Sequence, residues 1–333
     1  VAIATALRSS KAKNGYNSAA FNKFLANIPI VRERVESQYH GTHYPTSGFM
    51  ADNSHAGQPF DPKVGTVSTT SSDVLIPAFI AAYTGSDAKK IYLNPFPSLA
   101  HAMPNWRITY DGLINIGGLK NIFKSFVLSH AYQCTYSVGS YNSYLNWASV
   151  NGSNTMGFTL DELSGEPIPS SPFNISSVAI TERFAPLIGI NVTLKNAEYR
   201  DQRTLTLNTA AGQVVEASTR GLTLGAGYKI VGFNTVLKMK GSQNGVSNDL
   251  TLNANFSLQN TQALIRRIET GYTQATSGTR AINFNFTANY ILSKRLTISA
   301  YFDHQVNTPI VTTSAYPTTN TSYGISMNLS LTR

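Results

Sequence analysis

Residues 281–292 read AINFNFTANYIL, and this stretch decides the fold class. A side-chain period of two over this length predicts a β-strand with one apolar face and one neutral polar face. The apolar positions are Ile282, Phe284, Phe286, Ala288, Tyr290 and Leu292, and the polar positions are Asn283, Asn285, Thr287 and Asn289. Soluble sandwiches usually carry Lys and Glu on the outer face, whereas Asn and Thr suit a wet interior behind a lipid-facing wall. We therefore expect a transmembrane β-barrel, or part of one.

The composition of the 333-residue chain agrees with a barrel. Charged residues make up only 13% of it, about half the usual share of a soluble protein. The net charge is +9, but Lys and Arg are scattered and no base-stacking motif accompanies them, which argues against a nucleic-acid partner. A basic surface that faces anionic outer-membrane lipid or lipopolysaccharide fits at least as well.

The single cysteine, Cys134, excludes an internal disulfide framework and Cys-rich metal sites. It falls in line with apolar neighbours, so we interpret it as a packing residue. The longest apolar run, residues 74–83, contains Pro77 and is too short for a spanning helix. The chain begins at Val1 without a signal peptide, although an outer-membrane protein must be exported, so we expect a mature product or a fragment.

Residues 1–104 are predicted to form a helical and loop accessory region that lies in or on the barrel. Ser18 is predicted to cap a first helix, which Pro29 would end or kink. Asp73 is predicted to cap a second helix, and Gly85 is predicted to stop it.

Residues 105–333 are predicted to form about eleven strands. We place these at residues 106–110, 126–138, 180–194, 203–210, 214–230, 233–240, 250–258, 261–270, 281–292, 296–302 and 323–331. Glu182 is the one charge that does not fit the alternation of its strand. Because bacterial single-chain barrels have an even number of strands, either the count is wrong or the chain is one wall of a larger barrel.

The connections between these strands are predicted to alternate in length. Short ones are expected near Gly117, Gly232, Asn260 and Ser293, and longer ones at 139–176, 271–280 and 307–319. Outer-membrane barrels have short turns on the periplasmic side and long loops outside, so the last strand would run inwards.

Residues that could carry chemistry are few. His40 and His43 form an HxxH pair with His55 nearby, but this spacing is common by chance and lies in a loop. The acidic cluster at 161–166 is interpreted as solvated surface. No nucleophile elbow, P-loop or HExxH motif is present. We predict no catalytic, cofactor-binding or metal site, and no enzymatic activity.

Several stretches resemble the C-terminal part of the SprA/Sov family, the giant outer-membrane translocon of the type IX secretion system. The resemblance runs from about residue 74 to the end of the chain. The stretches that carry it are PNWRITYDGL at 104–113, TERFAPLIG at 181–189, LGAGY at 224–228, NDLTL at 248–252, VNTP at 306–309 and VLIPAF at 74–79.

The resemblance implies an all-β fold, namely the C-terminal part of a very large transmembrane antiparallel β-barrel with a short mixed helical and loop region at its N-terminal end. It implies export of folded cargo proteins that bear a C-terminal signal domain. It also implies a plug protein, a PorV-like shuttle barrel in the outer membrane and a periplasmic peptidyl-prolyl isomerase as partners. The family offers no catalytic residues to carry over.

A pore for folded cargo should be lined by neutral side chains. We predict that the lumen is faced by Gln133, Thr251, Asn253, Asn255, Asn283, Asn285, Thr287 and Asn289. We predict that lipid is faced by Leu252, Phe256, Phe284, Phe286, Ile325 and Leu329. The alternatives are a generic outer-membrane porin or TonB-dependent transporter barrel, and a secreted β-sandwich adhesin that would be soluble without detergent.

Overall fold

The computed structural model is dominated by one antiparallel sheet with a small helical layer packed on part of one face. It describes residues 16–96, 105–193, 195–234, 247–293, 296–311 and 315–329. The helices are α1 (Ala19–Ser37), α2 (Ser72–Thr84) and the short α3 (Leu119–Ile122). Single 3-10 turns lie at Gly48–Met50 and Gly112–Asn115.

In the described part of the chain the main sheet has nine strands. Its order, β1-β2-β6-β7-β8-β9-β10-β11-β12, follows the chain except where a small second sheet is inserted. The described sheet is open, with β1 and β12 as its two edges. The nine strands are β1 (Trp106–Tyr110), β2 (Phe126–Ser143), β6 (Phe173–Val192), β7 (Lys195–Asn208), β8 (Gln213–Asn234), β9 (Ser247–Arg267), β10 (Thr273–Ile291), β11 (Leu296–Pro309) and β12 (Thr318–Leu329).

One of the predicted divisions between strands is wrong, because strand β9 is continuous where a turn was predicted. Asn260, predicted as a turn, lies inside β9 and pairs with both Arg220 and Arg280. Gly232 lies near the end of β8 rather than between two strands. The predicted strand at 233–240 falls largely outside the described residues.

The predicted alternation of short turns and long loops is also wrong. The predicted loop at 271–280 belongs mostly to β10, which starts at Thr273. At the sheet end near the helical layer, the long connection 144–172 stands beside the tight turn 209–212. At the other end the connection 111–125 stands beside the end of the β6–β7 pair, where Val192 lies opposite Lys195. Connection length therefore does not separate the two ends of the sheet.

The long connection between β2 and β6 contains the second sheet, made of β3 (Trp147–Ser149), β4 (Gly157–Leu160) and β5 (Pro167–Ser170). Phe158 of β4 is fully buried and its ring contacts Tyr39, Tyr44 and Phe60. The inserted sheet and the loop that follows α1 therefore share one aromatic core.

Helix α1 begins where the sequence predicts, because the Ser18 hydroxyl accepts a hydrogen bond from the Phe21 N–H at 3.3 Å. It runs without interruption through Pro29 to Ser37. Helix α2 is capped by Ser71 rather than by the predicted Asp73, and Gly85 follows it in the left-handed region. Its buried residues extend around the whole helix, as expected for a helix packed between α1 and β6.

Asp73, in the first turn of α2, gives this layer a pH dependence. Burial raises the pKa of its carboxyl, while hydrogen bonds from Ser171 act in the opposite direction. Since the folded pKa lies above the ordinary value of 3.8, the folded layer holds this proton more tightly, and stability is lost as pH rises above that value. We expect Asp73→Asn to gain thermal stability over the wild type progressively from about pH 4 to pH 7, as measured by unfolding midpoints.

Asp161 supplies the matched control with the opposite sign. Hydrogen bonds from Ser164 and the Leu163 N–H lower the pKa of this carboxyl. Its contribution is present at neutral pH and is lost as pH falls, so Asp161→Asn should be least stable relative to the wild type at pH 7. Parallel pH profiles for the two variants would contradict the assignment to Asp73.

Candidate functional site

The main sheet has two chemically different faces, and the register assigns side chains to each. Residues directly opposite one another on antiparallel strands point to the same face. We call the face that carries Phe286 the apolar face and the face that carries Asn285 the polar face. Side chains follow this assignment through the described pairs from β6 to β12.

All six side chains predicted to face lipid lie on the apolar face. Phe256 is opposite Phe284, and Leu252 is opposite Ala288. The same face continues through Phe286 opposite Phe302, and then through Ile325 and Leu329 on the edge strand β12. Ile325 is 72% exposed, so at this edge the apolar face is uncovered.

All eight side chains predicted to face the lumen lie on the polar face. The register places Thr251 opposite Asn289, Asn253 opposite Thr287, Asn255 opposite Asn285, and Asn283 opposite Ser257, and it places Gln133 on the same face through its pairing with Arg183. Amide groups bridge neighbouring strands here: Asn283 donates to the Ser257 hydroxyl at 3.2 Å and Asn285 donates to Asp303. The sequence therefore sorted these fourteen side chains between the two faces correctly, while the medium that each face contacts stays a prediction.

On the polar face, strand β8 has no side chain at three of its positions. These are Gly221, Gly225 and Gly227. A Cβ atom at Gly225 would lie 1.9 Å from the Asn196 Oδ1 and 3.1 Å from the Asn255 Oδ1. A larger residue at this position would require the exposed Asn196 to move away, so glycine lets the two asparagine side chains lie over the β8 backbone.

The apolar face divides into two bands along the strands. The main strands are long, with 20 residues in β6, 22 in β8, 21 in β9 and 19 in β10. Near the helices the apolar face is covered by α1 and α2. Beyond that cover, apolar side chains occupy every second position of three adjacent strands, at Leu222–Ile230, Leu250–Leu258 and Ile282–Tyr290. Each stretch is about nine residues long and carries no charge on the apolar face, since Lys229 points to the polar face; this length matches the span of a transmembrane strand.

A buried ion cluster lies in the covered band, and no pattern in the sequence predicted it. Glu216 of β8 accepts a hydrogen bond from the Arg203 Nε at 2.8 Å, and its other oxygen accepts from the Arg266 Nε and Nη2 at 3.1 and 2.9 Å. The guanidinium of Arg203 lies over the ring of Tyr83, and that of Arg266 over the ring of Phe21. The cluster therefore joins three strands to both helices.

Glu182, which broke the predicted alternation, belongs to this covered band. It is 2% exposed, lies opposite Arg203, and accepts a hydrogen bond from the Tyr132 hydroxyl at 3.3 Å. A charged residue at an apolar position of a strand could thus have indicated the covered band, because a charge there needs a hydrogen-bonding or oppositely charged partner when other residues bury it.

The remaining candidates form no reactive constellation within the described ranges. His55 is 3.2 Å from Glu166, while His43 pairs through its backbone with Pro59. Across the described part of the chain, no three potential metal-ligating side chains converge. Cys134 is buried in the core, as predicted. None of the described helices combines the length and hydropathy needed to span a bilayer.

Comparison with known proteins adds no family assignment. No protein-family model matches the chain, and no curated protein sequence matches it.

Proposed function

We propose that this chain forms part of the wall of a very large outer-membrane β-barrel, the protein-conducting translocon of the type IX secretion system. Folded cargo proteins would pass along the polar face, and the apolar face would contact lipid. The proposal combines the likeness of residues 74–333 to the SprA/Sov family with the two-faced sheet.

The single observation that carries the proposal is the band of uncharged apolar side chains on β8, β9 and β10. Its height is about nine residues on each strand, close to the 9–11 residues that a tilted strand needs to cross the hydrocarbon. A soluble sheet would cover such a band with a second layer, whereas among the described residues the helical layer stops where the band begins.

The chemistry of the polar face suits a passage for many different proteins. Its Asn, Thr, Ser and Gln side chains offer hydrogen bonds, and its glycines add no side chain, so the face has neither a large apolar patch nor a field of one sign. Cargo surfaces of any charge could therefore pass without being retained, since strong sites would slow release.

We orient the wall with the helical layer and the connection 144–172 outside the cell, because this connection is the longest between the described strands of the main sheet and outer-membrane barrels carry their long loops outside. In this orientation β12 runs inwards from Thr318 to Leu329. A plug protein, a PorV-like shuttle barrel and a periplasmic peptidyl-prolyl isomerase would attend the barrel as they do in the family that the chain resembles.

The proposal is tested by crosslinking during export. We expect Asn285→Cys, in a Cys134→Ala background, to form thiol-specific crosslinks with an arrested cargo that bears a C-terminal signal domain. Phe286→Cys is the matched control, because it lies one residue away on the opposite face and should react with lipid-soluble reagents instead. Crosslinks are quantified from cells that express both proteins.

Equal cargo crosslinking at both positions would refute the assignment of the two faces. If Asn285→Cys reacts with small water-soluble thiol reagents but never with cargo, and the reconstituted protein admits small solutes into liposomes, the porin alternative is correct.

A further inference from the structure

A row of polar side chains crosses the apolar face at the boundary between its covered and uncovered bands. The register sets Asp201, Arg220, Asn260, Arg280 and Thr308 side by side on β7 to β11. Adjacent strands are about 4.8 Å apart, so the Cα atoms of Arg220 and Arg280 are about 10 Å apart with Asn260 between them.

This row forms one side of a cavity of about 860 Å³. The Tyr16–Ser18 segment at the N-terminus of α1 lines the cavity as well, so the positive end of a 19-residue helix adds to its potential. The cavity is open to the exterior along the sheet, where Leu222 and Leu258 form its apolar rim.

The cavity has an excess of positive charge among the described residues. Its acidic side chains are Glu216, which the buried cluster uses, and Asp201, whose Oδ2 lies 3.2 Å from the Arg220 Nε. Its basic side chains are Arg203, Arg220, Arg266 and Arg280. Arg280 is exposed, and its Nε donates to the neutral Asn260 Oδ1 at 3.2 Å. Its guanidinium therefore retains donors for an anion.

The row next to the arginines is apolar. Leu222, Leu258 and Ile282 lie side by side directly below Arg220, Asn260 and Arg280, and Leu224, Phe256 and Phe284 follow in the next row on the same face. A ligand that fits both rows has an anionic head and a hydrocarbon body. A guanidinium fork matches the geometry of phosphate oxygens.

We propose that this cavity binds the phosphate of an acylated membrane lipid, with the phosphate at Arg280 and Arg220 and an acyl chain along Leu222, Leu258 and Ile282. The inference rests on the proposed function, because it requires lipid against the apolar face. It adds a defined lipid site at the outer headgroup level, where the helical layer meets the bilayer.

The site is tested with the whole protein in mild detergent, by native mass spectrometry with three added probes: diphosphoryl lipid A, phosphatidylglycerol and inorganic phosphate. We expect one of the two lipids to bind, and Arg280→Gln to weaken that binding about ten-fold, the usual effect of losing a charge-assisted hydrogen bond. The matched control is Arg183→Gln, which removes the same charge from an exposed side chain on the polar face and should leave lipid binding unchanged. Unchanged unfolding midpoints for both variants would confirm that they fold.

Inorganic phosphate that competes as well as either lipid would overturn the proposal, because the site would then recognise a simple anion. Equal effects of the two substitutions, or no effect of either, would overturn it too. If these results occur while Asn285→Cys still crosslinks to cargo and Phe286→Cys does not, only the lipid site fails. If both positions crosslink to cargo equally, the proposed function fails with it.

Discussion

Replacing Phe286 with Arg is expected to destabilise the state that is folded in a bilayer by about 2–4 kcal/mol. Phe286 lies at the middle of the Ile282–Tyr290 stretch, so on our proposal it sits near the bilayer midplane. An arginine there would have to leave water or deform the membrane around it. The measurement is equilibrium unfolding from phospholipid vesicles.

Asn285→Arg is the matched control, since it places the same side chain one residue away on the polar face. We expect it to change the folding free energy by less than about 1 kcal/mol, because on our proposal this half-buried position faces water beside Asp303. Ile282→Arg, at the rim of the band, should fall between the two because the penalty decreases towards the interface. If all three variants were equally stable, the apolar face would not contact hydrocarbon.

Replacing Glu216 with Ala is expected to destabilise the protein by roughly 3–5 kcal/mol. Its carboxylate is the shared acceptor for Arg203 and Arg266, and all three side chains are at most 8% exposed. Removing it leaves two nearly buried guanidinium groups without the carboxylate that they share. We expect the helical layer to detach first, which protease digestion around α1 and hydrogen exchange would detect.

The control for Glu216 is Glu198→Ala. Glu198 lies on the polar face of the neighbouring strand β7 and pairs with the exposed Arg200, so its loss should cost at most about 1 kcal/mol. A triple replacement of Arg203, Glu216 and Arg266 by Met, Leu and Met should recover most of the lost stability, because an apolar cluster of similar volume removes the need for charge pairing. Failure of that rescue, with Glu216→Ala no worse than the control, would mean that the cluster does not hold the layer.

The sequence predicted the two-faced strands well because alternation is a local property. The pattern around Phe286 and Asn285 needs only the period of two, and it separated the predicted lumen residues from the predicted lipid residues, which lie on opposite faces of the sheet. It failed at Asn260, because Gln-Asn-Thr-Gln was interpreted as a turn. These residues belong to strand β9. Their side chains are polar because this part of the strand lines the cavity and does not pack against apolar residues.

The ion cluster and the lipid cavity could not be predicted in the same way. Arg203 and Glu216 are 13 residues apart in the chain, and Glu216 and Arg266 are 50 apart. Only the register of β7, β8 and β9 brings them together, and register depends on long-range pairing that no local pattern specifies. The charge on the wrong side of a strand, as at Glu182, was the one local sign that part of the apolar face is covered.

The two edge strands of the described sheet, β1 and β12, affect how such a wall could be inserted into a membrane. The outer peptide groups of β1 and β12 have no strand beside them among the described residues. In hydrocarbon each unsatisfied N–H or C=O costs several kcal/mol. Insertion of this open sheet into lipid without neighbouring strands would therefore be strongly disfavoured. If the proposed function is correct, the sheet would be inserted at the same time as β1 and β12 pair with neighbouring strands. Assembly factors would have to shield these two edge strands until the barrel is closed.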